Sequence, residues 1–245
     1  MKLKIENVSC SFEGQVILEK MNMDVKEGEF VSILGPSGCG KSTLLNIIAG
    51  LIKADSGTVF VDGDLVSGIS EHFAYMPQQD LLFPWQTILQ NVCLYAKIHG
   101  DLKNAKEKAL QNFEKFGLNG YEYKYPIQLS GGMRQRAAFL RTSLCKADIL
   151  LLDEPFGALD VITRGDMQDW LLRIRKELGR TMVLVTHDID EAIYLSDRIL
   201  VLSGKPASVK KELIIEEKNR SKEWLFEQHE TRKELYHVLK GIDKQ

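Results

Sequence analysis

Phe30-Val31-Ser32-Ile33-Leu34-Gly35-Pro36-Ser37-Gly38-Cys39-Gly40-Lys41-Ser42-Thr43 is the stretch from which the fold can be read. Its first five residues have the short, β-branched, apolar character of a buried strand, and Thr43 to Ala49 has that of a helix. The loop between them fits G-x-x-x-x-G-K-[ST]. Glycines there let the backbone bend so that successive N–H groups face one anion, and the helix that follows adds the positive end of its dipole. Gly35, Pro36, Ser37, Gly38, Cys39, Gly40, Lys41, Ser42 and Thr43 are therefore candidate phosphate contacts. Lys41 is expected to reach the β and γ phosphates of a nucleotide, and Ser42 to offer Mg²⁺ a hard oxygen ligand. With glycine near 7% of residues, a chance match in a chain of this length is on the order of one in a hundred.

Outward from this stretch, Thr58 to Val61, Ile149 to Leu152, Met182 to Val185 and Ile199 to Leu202 also read as strands. Leu102, Ala105, Ala109, Phe113 and Phe116 step by three or four residues onto one helical face. Alternating strands and helices predict a three-layer α/β core. From about Pro84 to Leu144 the rhythm is interrupted by a mostly helical segment. Val61-Asp62-Gly63-Asp64 reads as a hairpin turn near the N-terminal strands. From Lys205 onward, 18 of 41 residues are charged, with Trp224, Leu225 and Leu235 interspersed, which predicts solvated helices packed on the core.

The 245 residues, 44% apolar and 27% charged, suffice for a sizeable core and exclude a disordered or fibrous chain. A net charge of −2 provides no global basic field, so nucleic acid is not an expected partner. Apolar runs fall far short of a membrane span. Met1 to Asn7 lacks the apolar core of a signal peptide, so the chain is expected to stay where it is made. Cys10, Cys39, Cys93 and Cys145 contain no CxxC pair and read as reduced thiols. Cys39, flanked by loop amides and Lys41, is either an inert packed thiol or a reactive one.

A phosphate cradle also needs a metal-side carboxylate and a means of activating water. Ile149-Leu150-Leu151-Leu152 ends in Asp153-Glu154, an acidic pair at the C-terminal edge of a buried strand, where open α/β sheets bind ligands. Asp153 is expected to hold Mg²⁺ through water, and Glu154 to take a proton from the attacking water. Further along lies Leu129-Ser130-Gly131-Gly132-Met133-Arg134-Gln135-Arg136, leading into a helix with Met133, Ala137, Leu140 and Leu144 on one face. Ser130 and the amides of Gly131 and Gly132 would form a second anion-binding helix N-terminus.

With this motif the sequence resembles the ATP-binding cassette family, whose LSGGQ signature appears here as LSGGM. The resemblance covers about residues 1–205. It implies an α/β, P-loop NTPase core of the ABC type, with an N-terminal antiparallel β subdomain and a helical subdomain, about 84–144, inserted into the ATPase domain. Residues 206–245 would form a C-terminal helical extension. The resemblance further implies ATP and Mg²⁺ as cofactors and a head-to-tail dimer of two copies, the signature of one covering the γ-phosphate held by the other. Gln78 matches the glutamine that touches Mg²⁺ and water, with Gln79 as its rival. Asp160, in Ala158-Leu159-Asp160, matches a loop that communicates across the dimer. His187 matches the switch histidine that contacts the γ-phosphate. Phe12 stands where the family stacks an aromatic ring on adenine; read alone, it would be a core residue.

A transporter reading requires separate membrane permease chains, and Leu81-Leu82-Phe83-Pro84-Trp85 supplies apolar anchors where the family docks them. The loop resembles those of nitrate, sulfonate and taurine importers, with thiamine-pyrimidine precursor importers as the close alternative. That implies an extracytoplasmic solute-binding protein and a peripheral location on the cytoplasmic face of the membrane. DNA-repair and chromosome-structuring relatives would need a long coiled coil between the two phosphate-binding motifs, and only about 90 residues separate them here. A single-cassette ATPase of iron–sulfur cluster assembly is the competing soluble reading.

Overall fold

A computed structural model describes residues 1–241; the last four positions of the expected 206–245 extension lie outside the described residues. The chain forms two compact units, one comprising Met1–Ser70 with Arg180–Gln245 and the other Glu71–Gly179.

In the first unit, β1 (Leu3–Phe12) turns through Glu13 and Gly14 into β2 (Gln15–Val25), to which it pairs antiparallel. Leu3, Ile5, Val8 and Cys10 are buried, so one face of β1 makes core. β4 (Ser56–Val61) pairs on the other side of β1, and β5 (Asp64–Val66) follows it through Asp62 and Gly63, both at positive φ. That is the expected hairpin turn, since two central residues at positive φ match the twist of the flanking strands. The sheet order is β2-β1-β4-β5.

The phosphate-binding stretch lies in this same unit. β3 (Phe30–Leu34) runs parallel to β8 (Thr181–Thr186) on one side and to β9 (Arg198–Ser203) on the other. Every residue of β3 and β8 is buried, which explains their continuous apolar runs. α1 (Lys41–Ile48) buries Leu44, Leu45, Ile47 and Ile48. α7 (Ile189–Leu195) follows β8 after only two residues.

The tail departs from the helical extension expected for 206–245: it opens with a strand, β10 (Ser208–Ile214), antiparallel to β9. Its half-buried Val209, Lys211 and Leu213 alternate with exposed Lys210, Glu212 and Ile214, an edge-strand pattern that the high charge content conceals. Arg198, itself buried, fixes this edge through Glu29 at 2.8 Å and Glu212 at 2.9 Å. Helices α8 (Lys222–Glu227) and α9 (His229–Lys240) follow, burying Leu225 and Leu235.

The second unit is built on a parallel pair, β6 (Phe73–Met76) and β7 (Ile149–Asp153), with Met76 opposite Leu152. β6 is a strand the sequence reading missed, because four residues leave no periodicity to detect. Between the two strands come α2 (Ile88–Val92), α3 (Leu94–His99), α4 (Leu102–Phe113) and α5 (Gly131–Ser143); α6 (Val161–Leu178) follows β7. The unit is wider than the expected 84–144 insert because the strands flanking that insert pair with each other. Phe116 and Phe139 both meet Trp170 edge-on, at 5.1 and 5.2 Å between ring centroids, and Trp170 Nε1 donates to the Lys115 carbonyl. Such aromatic pairs add about 0.5–1.5 kcal/mol each beyond area burial. Among the described residues, no helix is long and apolar enough to cross a membrane.

Candidate functional site

The phosphate cradle is shaped by steric necessity at two glycines. A Cβ on Gly35 would lie 2.7 Å from the Leu202 carbonyl, and one on Gly40 would lie 2.9 Å from both Ile17 Cγ2 and Leu18 Cδ2. Gly40 also has φ 107°, a conformation that costs other residues dearly. As the N-cap of α1, Gly40 brings no side chain to the helix's first amides, which leaves them to an anion. Pro36, Ser37, Gly38 and Ser42 are exposed, Thr43 is half-buried, and Cys39 and Lys41 are buried. Lys41 Nζ donates to the carbonyls of Gly35 at 2.9 Å and Pro36 at 3.0 Å, so its charge is held inside the loop it serves. Burial pushes the Cys39 thiol up, against the pull of Lys41. The packed, inert alternative for this cysteine is the one its surroundings favour.

Two further candidate residues lie in the first unit. Leu34 lies opposite Thr186 in the β3–β8 register, and the Gly35 amide donates to the Thr186 carbonyl at 3.3 Å. His187, the next residue, therefore emerges beside the start of the loop. Contact of Gly40 with Ile17 and Leu18 brings the β1–β2 hairpin alongside, and Phe12 at its tip is 45% exposed. Phe12 is thus an open aromatic face, not the core residue it would be if read alone.

The second unit assembles the acids. β6–β7 pairing puts Tyr75 opposite Leu151 and carries Gln78 to Glu154, where its Nε2 donates to Oε2 at 3.4 Å. This contact is made by Gln78, although Gln78 and Gln79 are both exposed. Asp153 is buried and accepts a hydrogen bond from the Tyr75 hydroxyl at 3.0 Å. Burial first, and the Asp153 charge second, hold the Tyr75 phenol well above its usual pKa, so it stays a donor. Tyr75 is a site-lining residue that sequence reasoning missed, because β6 gave no signal. Glu154 has φ 44°, rare for a residue with a side chain, and the turn is closed by the Gly157 amide donating to its carbonyl at 3.1 Å. A left-handed non-glycine residue costs about 1–3 kcal/mol and persists where the surrounding structure holds it.

Also in this unit, Ser130 N-caps α5, its Oγ accepting from the Met133 amide at 3.3 Å. Asp160 N-caps α6, accepting from Ile162 and Thr163 amides at 3.1 and 3.0 Å, and hydrogen bonding from Thr163 lowers its pKa. The two caps are neighbours: a Cβ on Gly131 would be 3.5 Å from Leu159, and one on Gly132 only 2.6 Å from Thr163 Cγ2.

Residues 18–157 match the family described as ABC transporter. The chain belongs to that family, and it is an ATP-binding, ATP-hydrolysing cassette. An ABC transporter ATP-binding protein of Methanocaldococcus jannaschii is 42% identical over 98% of this chain and 92% of its own. The aliphatic sulfonates import ATP-binding protein of Bacillus cereus is 44% identical, covering 89% and 87%. The formylaminopyrimidine import ATP-binding protein of Halalkalibacterium halodurans is 47% identical, covering 83% and 80%. Among solved structures, a dimeric ATP-binding cassette in a post-hydrolysis state with ADP and phosphate is similar at a TM-score of 0.74 and 33% identity, over 88% of this chain and 99% of that one.

Proposed function

We propose that two copies of this chain close head to tail around ATP and power a membrane importer of a small solute. The observation that carries the dimer is the α5 tip. Ser130, Gly131 and Gly132 form a helix N-terminus with no lysine of its own, and beside it Val161 and Ile162 are 83% and 78% exposed at the start of α6. Apolar side chains placed next to an anion-binding tip suit a surface that is covered when the tip completes another copy's site. The dimeric cassettes among similar solved structures support the same reading.

In this reading Lys41, the loop amides and Phe12 hold the nucleotide. Water attacks the γ-phosphorus and gives its proton to Glu154, while the bond to the β-phosphate breaks and its electron pair leaves with ADP. Gln78 orients the Glu154 carboxylate, and His187 and the partner copy's signature tip bind the γ-phosphate. Mg²⁺ fits the donors present. Ser42 and Asp153 offer hard oxygens of the kind Mg²⁺ takes, and would hold it alongside water and phosphate ligands. When bound it neutralises charge developing on the phosphates.

The importer role is supported by the named relatives, an aliphatic sulfonates import protein and a formylaminopyrimidine import protein among them. Those relatives support import over iron–sulfur cluster assembly, and sulfonate-type and pyrimidine-type cargoes both stand. Leu81 and Trp85 are exposed, and the Phe83 and Trp85 rings stack at 5.2 Å, a rigid apolar surface for separate permease chains. Docking there would place the chain peripherally on the membrane, with a solute-binding protein as the expected third component.

The test is Glu154→Gln. Loss of a general base costs about 10²–10⁴ in rate, so the variant should bind ATP, hydrolyse it slower by that factor, and elute as an ATP-dependent dimer in size-exclusion chromatography. Full turnover by a chain that stays monomeric would overturn the reading.

A further inference from the structure

The residues on either side of His187 are locked by a buried ring of hydrogen bonds that the mechanism above does not use. Thr186, 1% exposed, donates its hydroxyl to Glu191 Oε2 at 2.5 Å and accepts the Asp188 amide on the same oxygen at 3.0 Å. Asp188 Oδ1 in turn accepts the Glu191 amide at 3.0 Å, capping α7. Glu191 is a carboxylate-bearing side chain only 4% exposed. Burying it is costly unless hydrogen bonds compensate, so a core that needed only volume would be better served by an apolar residue. The ring spans the 186–188 backbone, and the Thr186 carbonyl is already tied to the Gly35 amide. His187 therefore sits on a segment held at one end by the phosphate cradle and at the other by the first turn of α7.

We infer that Glu191 and Thr186 are positioning residues for His187, fixing the backbone from which the imidazole reaches the γ-phosphate. The inference rests on the proposed role of His187. A tilt of this segment would leave nucleotide binding to Lys41 and the loop amides intact, while misplacing one group that acts in the transition state. Misplacements of about 1 Å cost up to about 10²-fold in rate, and interactions made only in the transition state appear in kcat and not in KM.

The experiment measures steady-state ATP turnover and thermal stability of the full chain for Glu191→Ala, Glu191→Gln, Thr186→Val and Thr186→Ser, each alone and combined with His187→Ala. Glu191→Ala and Thr186→Val should lower kcat by about tenfold or more with KM for ATP nearly unchanged. Glu191→Gln, whose amide oxygen can still accept the Thr186 proton, and Thr186→Ser should recover most of the rate. Combined with His187→Ala, the damaging substitutions should add no further loss of kcat. A lowered melting temperature with unchanged kcat in the folded protein would overturn the inference and mark a purely structural ring. An equal fractional loss with and without His187 would also overturn it. Should His187→Ala alone keep full turnover, the role of His187 itself fails, and that single variant reports it separately. If Glu191→Ala does not fold, the Thr186→Val and Thr186→Ser pair decides by the same criteria.

Discussion

The two helix tips proposed to bind phosphate, of α1 in the first unit and of α5 in the second, are built in opposite ways. At α1 the N-cap is Gly40, no side chain caps the helix, and Lys41 is buried inside the loop on the carbonyls of Gly35 and Pro36. At α5 the N-cap is Ser130, whose hydroxyl accepts the Met133 amide, and the flanking basic residue, Arg134, is turned to Asp80 at 3.1 Å and to the Leu129 carbonyl at 2.9 Å. On the proposed reading the first tip, which brings its own positive charge, holds the phosphates of the nucleotide. The second offers only amides and a hydroxyl, so it is suited to adding to a phosphate that another loop already holds. On the proposed reading, the first tip binds nucleotide and the second serves turnover.

Variants can break that division, beginning with the largest effect. Lys41→Ala removes a charge-assisted contact worth about 1.5–3 kcal/mol, so nucleotide affinity measured by titration should fall about 10- to 150-fold; unchanged affinity would put the binding function elsewhere. Gly132→Ala forces a methyl to 2.6 Å from Thr163 Cγ2, on a β-branched side chain with little room to retreat. Overpacking of this kind costs about 1–3 kcal/mol. Turnover should therefore drop about tenfold while ATP affinity of the separated chains holds, and a fall in affinity instead would merge the two tips into one function. Phe12→Ala is the smallest: losing one stacking face on a half-exposed ring costs about 1 kcal/mol, a roughly fivefold weaker affinity that Phe12→Tyr should restore.

The two tips also differ in how they were legible. Both motifs are contiguous in the chain, and contiguous glycines announce themselves because only they permit the turns and close approaches that Gly35 and Gly40 show. Asp153-Glu154 was readable for a similar reason, as acids ending a fully apolar run. Tyr75 was not, because its partner Asp153 is 78 residues away and β6 is too short to reveal a period. The tail's strand was hidden by charge, since Lys211 and Glu212 in β10 satisfy themselves at an edge through Glu234 and Arg198.

What the sequence alone determined is therefore local: the strand–loop–helix cradle, the second helix tip, the acidic pair and the α/β core that presents them, each dictated by backbone sterics and apolar patterning within a dozen residues. Only the tertiary structure decided that Gln78 and not its neighbour meets Glu154, that Glu154 itself is left-handed, that Phe12 is open, and that Thr186 and Glu191 hydrogen-bond across the segment that carries His187. Strand register and side-chain direction settle those matters. They depend on how distant segments pack together, which no short window of residues encodes.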